Sequence, residues 1–75
     1  MTTEELNRLS RLLTRLDKEK VAIVNDVTVA YINLMLAEQR ERKSTKARRI
    51  IRDLEILANI NELAEMEKET VLKAA

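Results

Sequence analysis

The chain has no cysteine, no histidine, no glycine and no proline, and a single tyrosine is its only aromatic side chain. Each absence excludes something. Without cysteine there is no disulfide, and without cysteine or histidine the common zinc and iron ligands are missing. Without glycine or proline the tight turns, bulges and hairpins of a β-rich fold are hard to build, which favours an all-helical chain. Without Trp or Phe the core has to be assembled from Leu, Ile, Val and Ala.

The 75 residues amount to one domain, 1–75, and 45% of them are hydrophobic, too many for a disordered segment. A chain this short rarely buries enough apolar surface to be comfortably stable alone. With disulfides impossible and a structural metal nearly so, helix–helix association is the remaining remedy. The opening MTTEEL is acidic where a secretory leader carries a basic region, so no leader is expected. The most apolar run, Val21 to Ala37, is interrupted by Asn25, Asp26, Thr28 and Asn33, which argues against a membrane span. A cytoplasmic protein without membrane contact is the expectation.

Thr2 is placed to cap a first helix, with Glu5 three residues on to complete a capping box. Apolar residues then recur at alternating spacings of three and four: Leu6, Leu9, Leu13, Leu16, Ile23, Val27, Ala30, Leu34 and Ala37, with Lys20 as the one polar interruption. The pattern predicts one helix over about 3–42, about 60 Å long at 1.5 Å per residue. Two features qualify it. Asp17 can cap a new helix with Leu16 and Val21 as a hydrophobic staple, giving a bend near 17. The β-branched stretch around Asn25-Asp26 also carries a weak hairpin signal, leaving helix and hairpin both open over 21–36. Val21, Val24, Val29, Ile32, Met35 and Leu36 fall off the seam, as in a helix buried nearly all round.

A turn at 43–45 leads into a second helix over about 46–72, with Ser44 or Thr45 as cap. Its stripe is Ile50, Leu54, Leu57, Asn61, Ala64, Lys68 and Val71, widened by a row of Ile56, Ile60 and Leu63. That width suits a three- or four-helix bundle better than a two-stranded zipper. Asn61 is either a buried polar residue that fixes register or a partly exposed one. Met35 and Met66 read as gap-filling packing and Tyr31 as a bundle-edge ring. Arg8, Arg11 and Arg15 lie on one helical face, either a solvated row or a supplement to a basic binding surface.

Charge is strongly segregated. Residues 1–39 hold five bases and six acids, 40–52 hold seven and one, and 53–75 hold two and six, giving −1, +6 and −4 in a chain of net +1. The central bases are Arg40, Arg42, Lys43, Lys46, Arg48, Arg49 and Arg52. They can neutralise phosphates. On the seven side chains' helical spacing they point in all directions, which suits a hairpin tip better than a groove-reading helix. They can instead meet acids: two second helices paired antiparallel about Leu57 set Arg48, Arg49 and Arg52 against Glu67, Glu65 and Glu62. A basic region leading into heptads with Asn61 in the seam is similar, over residues 40–72, to the layout of basic-leucine-zipper proteins, and that likeness implies a DNA-binding dimer. Ala64 and Lys68 depart from the zipper pattern, and no base-reading motif or stacking aromatic accompanies the bases. The chain is therefore not assigned to that family.

No poised nucleophile, acid–base pair or phosphate loop is present, so no enzymatic activity, cofactor, metal or small-molecule substrate is expected. The sequence predicts an all-α helical hairpin that associates into an antiparallel coiled coil or four-helix bundle. Its association face comprises Leu6, Leu9, Leu13, Leu16, Ile23, Val27, Leu34, Ile50, Leu54, Leu57, Asn61 and Ala64. The expected partner is a second copy, a dimer first, or a larger protein complex. The function expected is that of an interaction module, an accessory subunit or adaptor; the alternative is a small nucleic-acid-binding regulator working through residues 40–52.

Overall fold

The computed structural model describes residues 2–37 and 43–74, with side chains described through Glu69. These residues form four helices: α1 (Thr3–Leu12), α2 (Arg15–Asn25), α3 (Val29–Leu36) and α4 (Thr45–Ala74). The all-helical expectation holds among them. The expectation of two helices does not, because the first arm is cut twice.

In a chain without glycine or proline, hydroxyl side chains mark where helices begin. Thr2 Oγ1 accepts from Glu5 N at 3.2 Å, Thr14 Oγ1 from Asp17 N at 3.1 Å, Thr28 Oγ1 from Tyr31 N at 3.0 Å and Ser44 Oγ from Ala47 N at 3.1 Å. Each satisfies an amide that the first turn leaves without a helical partner. The first break lies at Leu13–Thr14, both extended, a few residues before the bend expected near 17. Thr14 is the cap and Asp17 completes the box, its Oδ2 accepting from Thr14 N at 3.1 Å. Leu16, expected to staple onto Val21, lies in the first turn of α2 and is exposed.

The second break falls on the Asn25-Asp26 pair. Asp26 adopts the left-handed conformation at φ 54°, ψ 48°. Its amide donates to Ile23 O at 3.3 Å, and Val27 N donates to Ala22 O at 3.0 Å. This pair of bonds is a Schellman cap, and Val27 just after it packs partly against the core. The turn signal in the sequence was therefore real, but it ends a helix instead of reversing a strand.

α2 runs antiparallel to α4: Asn25 Nδ2 donates to Asp53 Oδ2 at 3.0 Å near one end and Asn61 Nδ2 to Asp17 Oδ2 at 2.9 Å near the other. α1 flanks α4 on the opposite side, where Arg8 donates to Asn59 Oδ1 at 2.9 Å and pairs with Glu62. α3 packs on α1 and α2. The core consists of Leu6, Leu9, Leu12 and Leu13, then Val21 and Ala22, then Ile32, Met35 and Leu36, closed by Ala47, Ile50, Leu54 and Ala58 of α4. Ala47 and Ala58, on either side of Ile50 and Leu54, are fully buried small residues of that face. Past Glu62 the picture changes, since every residue from Leu63 to Glu69 is exposed. The long axis of the molecule, 46 Å, is about the length of the 30-residue α4 itself at 1.5 Å per residue.

The left-handed Asp26 yields a test. Asp26→Gly should raise stability by up to about 1 kcal/mol, because glycine adopts this conformation without a side-chain clash. Asp26→Val should lower it by about 1–2 kcal/mol. Urea midpoints of the two variants, moving in opposite directions, check the geometry.

Candidate association surface and basic segment

The expected association face is divided by the fold. Leu6, Leu9, Leu13, Ile50 and Leu54 are buried inside the chain's own core, and Val27 and Leu57 pack partly against it. Leu34 is half-buried, whereas Leu16, Ile23 and Ala64 are exposed. A continuous stripe from Leu6 to Ala37 would need one unbroken helix. The breaks at Leu13–Thr14 and Asp26–Thr28 reset the direction of each segment, so seam and off-seam positions exchange places. Val21, Ile32, Met35 and Leu36 go inward, and Leu16 and Ile23 go outward.

The apolar surface that remains exposed is large for a small chain. Ile56, Ile60, Leu63 and Met66 are each half or more exposed, as are Leu16, Ile23 and Val24. Ile56, Ile60 and Leu63 share one face of α4 through their spacings of four and three, opposite the core-facing Ala47, Ile50, Leu54 and Ala58. Between α2 and α4 lies a groove of about 290 Å³ lined by Lys20, Val21, Val24, Asp53, Ile56 and Leu57. Val24 thereby joins the Ile56–Leu63 stripe across the groove. The row Ile56, Ile60 and Leu63 was legible as extra apolar width; Val24 was not, because its exposure depends on how α2 is turned after its new start.

Arg40 and Arg42 lie outside the described residues. Lys43, Lys46, Arg48, Arg49 and Arg52 are all exposed. Within α4 the bases do not point in all directions: with Ala47, Ile50 and Leu54 turned inward, Lys46, Arg48, Arg49 and Arg52 occupy the solvent half of the first two turns. Arg52 reaches Asp53 at 3.6 Å. The row Arg8, Arg11 and Arg15 is split by the first break. Arg8 is occupied by Asn59 and Glu62, while Arg15 pairs with Glu19 at 3.3 Å along α2.

Asn61 proves to be a structural polar residue. Its half-buried amide donates to Leu12 O at 2.8 Å and to Asp17 Oδ2 at 2.9 Å, tying α4 to the end of α1 and the start of α2 together. Partial burial pushes the Asp17 carboxyl up. The hydrogen bonds from Asn61 and Thr14 and the charge of Lys20 outweigh it and hold the group below its ordinary value.

Among the described residues no cluster of three or more His, Cys, Asp or Glu is positioned to hold a metal ion, and no helix is long and apolar enough to cross a membrane. Two further concavities, one lined by Glu5, Arg8, Leu9, Glu55 and Asn59 and one by Arg15, Lys18, Val29, Ala30 and Asn33, hold no buried charged or polar residue. No protein-family model and no curated protein matches the sequence, and no solved structure matches the fold.

The Asn61–Asp17 contact predicts a pH signature. A carboxyl held low in the folded state contributes stability that is present above its unfolded value, about 3.9, and is lost as pH falls through the folded value. Asn61→Ala should cost about 1–2 kcal/mol near neutral pH by stranding the Leu12 carbonyl and the carboxylate. Its Asp17 titration, followed by NMR, should move up toward the ordinary range. The stability gap between the variant and the parent should narrow below about pH 4. A gap that stays constant down to pH 2.5 would exclude this role.

Proposed function

We propose that the chain is a non-catalytic protein-interaction module, an accessory subunit or adaptor that works by docking helices against helices. The observation that carries this reading is the exposed apolar face of Val24, Ile56, Ile60 and Leu63. Single exposed apolar side chains are ordinary on any surface, but a contiguous set at helical spacing beside a groove is the kind of surface that binds a partner helix. None of the four belongs to the buried core or to the partly buried side chains packed against it. The charged residues on either side of the face suit orientation and partner choice more than affinity.

A second reading is favoured by one observation: Lys46, Arg48, Arg49 and Arg52 are exposed together at the start of α4. They could follow a phosphate backbone as a small nucleic-acid-binding regulator would. No aromatic side chain lies among them to stack on bases, so any such binding would be electrostatic and steeply salt-dependent.

Titration with duplex DNA and with RNA across a series of salt concentrations separates the two. The interaction reading expects no saturable binding at physiological salt. Sub-micromolar binding with a steep salt slope, lost on Arg48→Glu with Arg49→Glu while helicity stays unchanged, would replace it with the regulator.

A further inference from the structure

We infer that the exposed stripe of α4 docks antiparallel on the same stripe of a second copy of this chain. The inference rests on the interaction reading above and names its partner. Along the outward face of α4 the order is Arg49 and Arg52, then Ile56, Ile60 and Leu63, then Glu67, all exposed. The face is basic at one end, apolar in the middle and acidic at the other. Rotated end for end, it complements itself.

The charges of α4 are also arranged against the helix's own field. The N-terminus of a helix favours acids and its C-terminal part favours bases. Here the first turn contains no acid and holds Lys46 and Arg48, while Glu62, Glu65, Glu67 and Glu69 crowd the later turns. Nothing within one helix accounts for that polarity. An antiparallel neighbour does, because it brings each basic end beside an acidic one and opposes the two helix dipoles. A parallel pair would stack like charge on like charge along its whole length.

Register follows from which residues the core leaves outward, Arg52 among them, its side chain largely exposed beside Asp53. Glu62 belongs to Arg8, and Leu57 is half-buried, so the pairing about Leu57 read from the sequence is displaced. Turning the stripe about a point between Asn59 and Ile60 sets Ile56 opposite Leu63, Arg52 opposite Glu67, and the two Ile60 side chains beside the axis. The overlap includes the turns of α4 just past Glu62, where Leu63 and Met66 are more than half exposed. The three short helices of each copy then lie on the outer sides, clear of the contact. Val24 stands at the rim, next to Ile56.

Sedimentation equilibrium with charge reversals tests the arrangement, and the absence of native cysteine makes cross-linking unambiguous. The parent should be a dimer. Arg52→Glu and Glu67→Arg, each alone, should weaken it roughly tenfold, since each converts two symmetry-related attractions into repulsions. The two together should restore it. A parallel dimer cannot be restored in this way, because residue 52 would still face residue 52. Ile60→Cys should form a cross-linked dimer on oxidation, and Glu67→Cys alone should not. A parent that stays monomeric at hundreds of micromolar overturns the inference. So does a double reversal that fails to restore the dimer, or cross-linking by Glu67→Cys alone. A monomer without affinity for duplex DNA would leave the interaction reading to a different protein. A monomer that binds duplex tightly would end both.

Discussion

Four helices in 75 residues can be arranged in many ways, and one amide does much to select among them. Asn61 donates one hydrogen bond to the last carbonyl of α1 and another to the carboxylate that caps α2. Both groups sit at helix termini, where the backbone has no partner of its own. A polar residue that has to satisfy two such ends can do so in a single position of α4 along its axis. Hydrophobic contacts lack that precision: sliding Ile50 and Leu54 by a turn would still bury them. The amide thus supplies register and the aliphatic core supplies the driving force. The second polar bridge, from Asn25 to Asp53, lies eight residues nearer the start of α4 and fixes the other end of α2.

Much of the helical character was legible in the sequence, and the reasons are local. Periodicity marked Ile50, Leu54 and Leu57, Thr2 and Ser44 marked two of the helix starts, and the absence of glycine and proline disfavoured strands. The positions of the breaks were less legible. Asp17 was visible as a capping residue, but the cap itself is Thr14, with Asp17 three residues on, and Leu13 and Leu16 fit a continuous helix equally well. At Asn25-Asp26 the turn propensity was visible, but choosing between a hairpin and a helix cap depends on where Ala22 and Val27 find apolar cover, and that is tertiary. Asn61 was recognised as a candidate register residue. Its partners, 44 and 49 residues away, follow only from the packing of α1 and α2.

For the candidate surface the division is similar. Ile56, Ile60 and Leu63 could be read as surplus apolar width, because a single core-facing stripe was already provided by Ile50 and Leu54. Leu16 and Ile23 were expected to share a seam with Leu6 and Leu9 and are separated from them by the reoriented helices. The basic block was conspicuous from composition alone. The confinement of Lys46, Arg48, Arg49 and Arg52 to the solvent half of α4 depends on Ala47, where a small side chain faces the core between Lys46 and Arg48.

α4 is one covalently continuous helix with two different neighbourhoods. From Ala47 to Glu62 it lies against the core; from Leu63 to Glu69 every residue is exposed. The two parts answer to different selection. Changes between Ala47 and Glu62 put the fold at risk, because Ala47, Ile50, Leu54 and Ala58 are part of the buried core. Substitutions between Leu63 and Glu69 alter the character of an exposed helix surface and leave that core as it is.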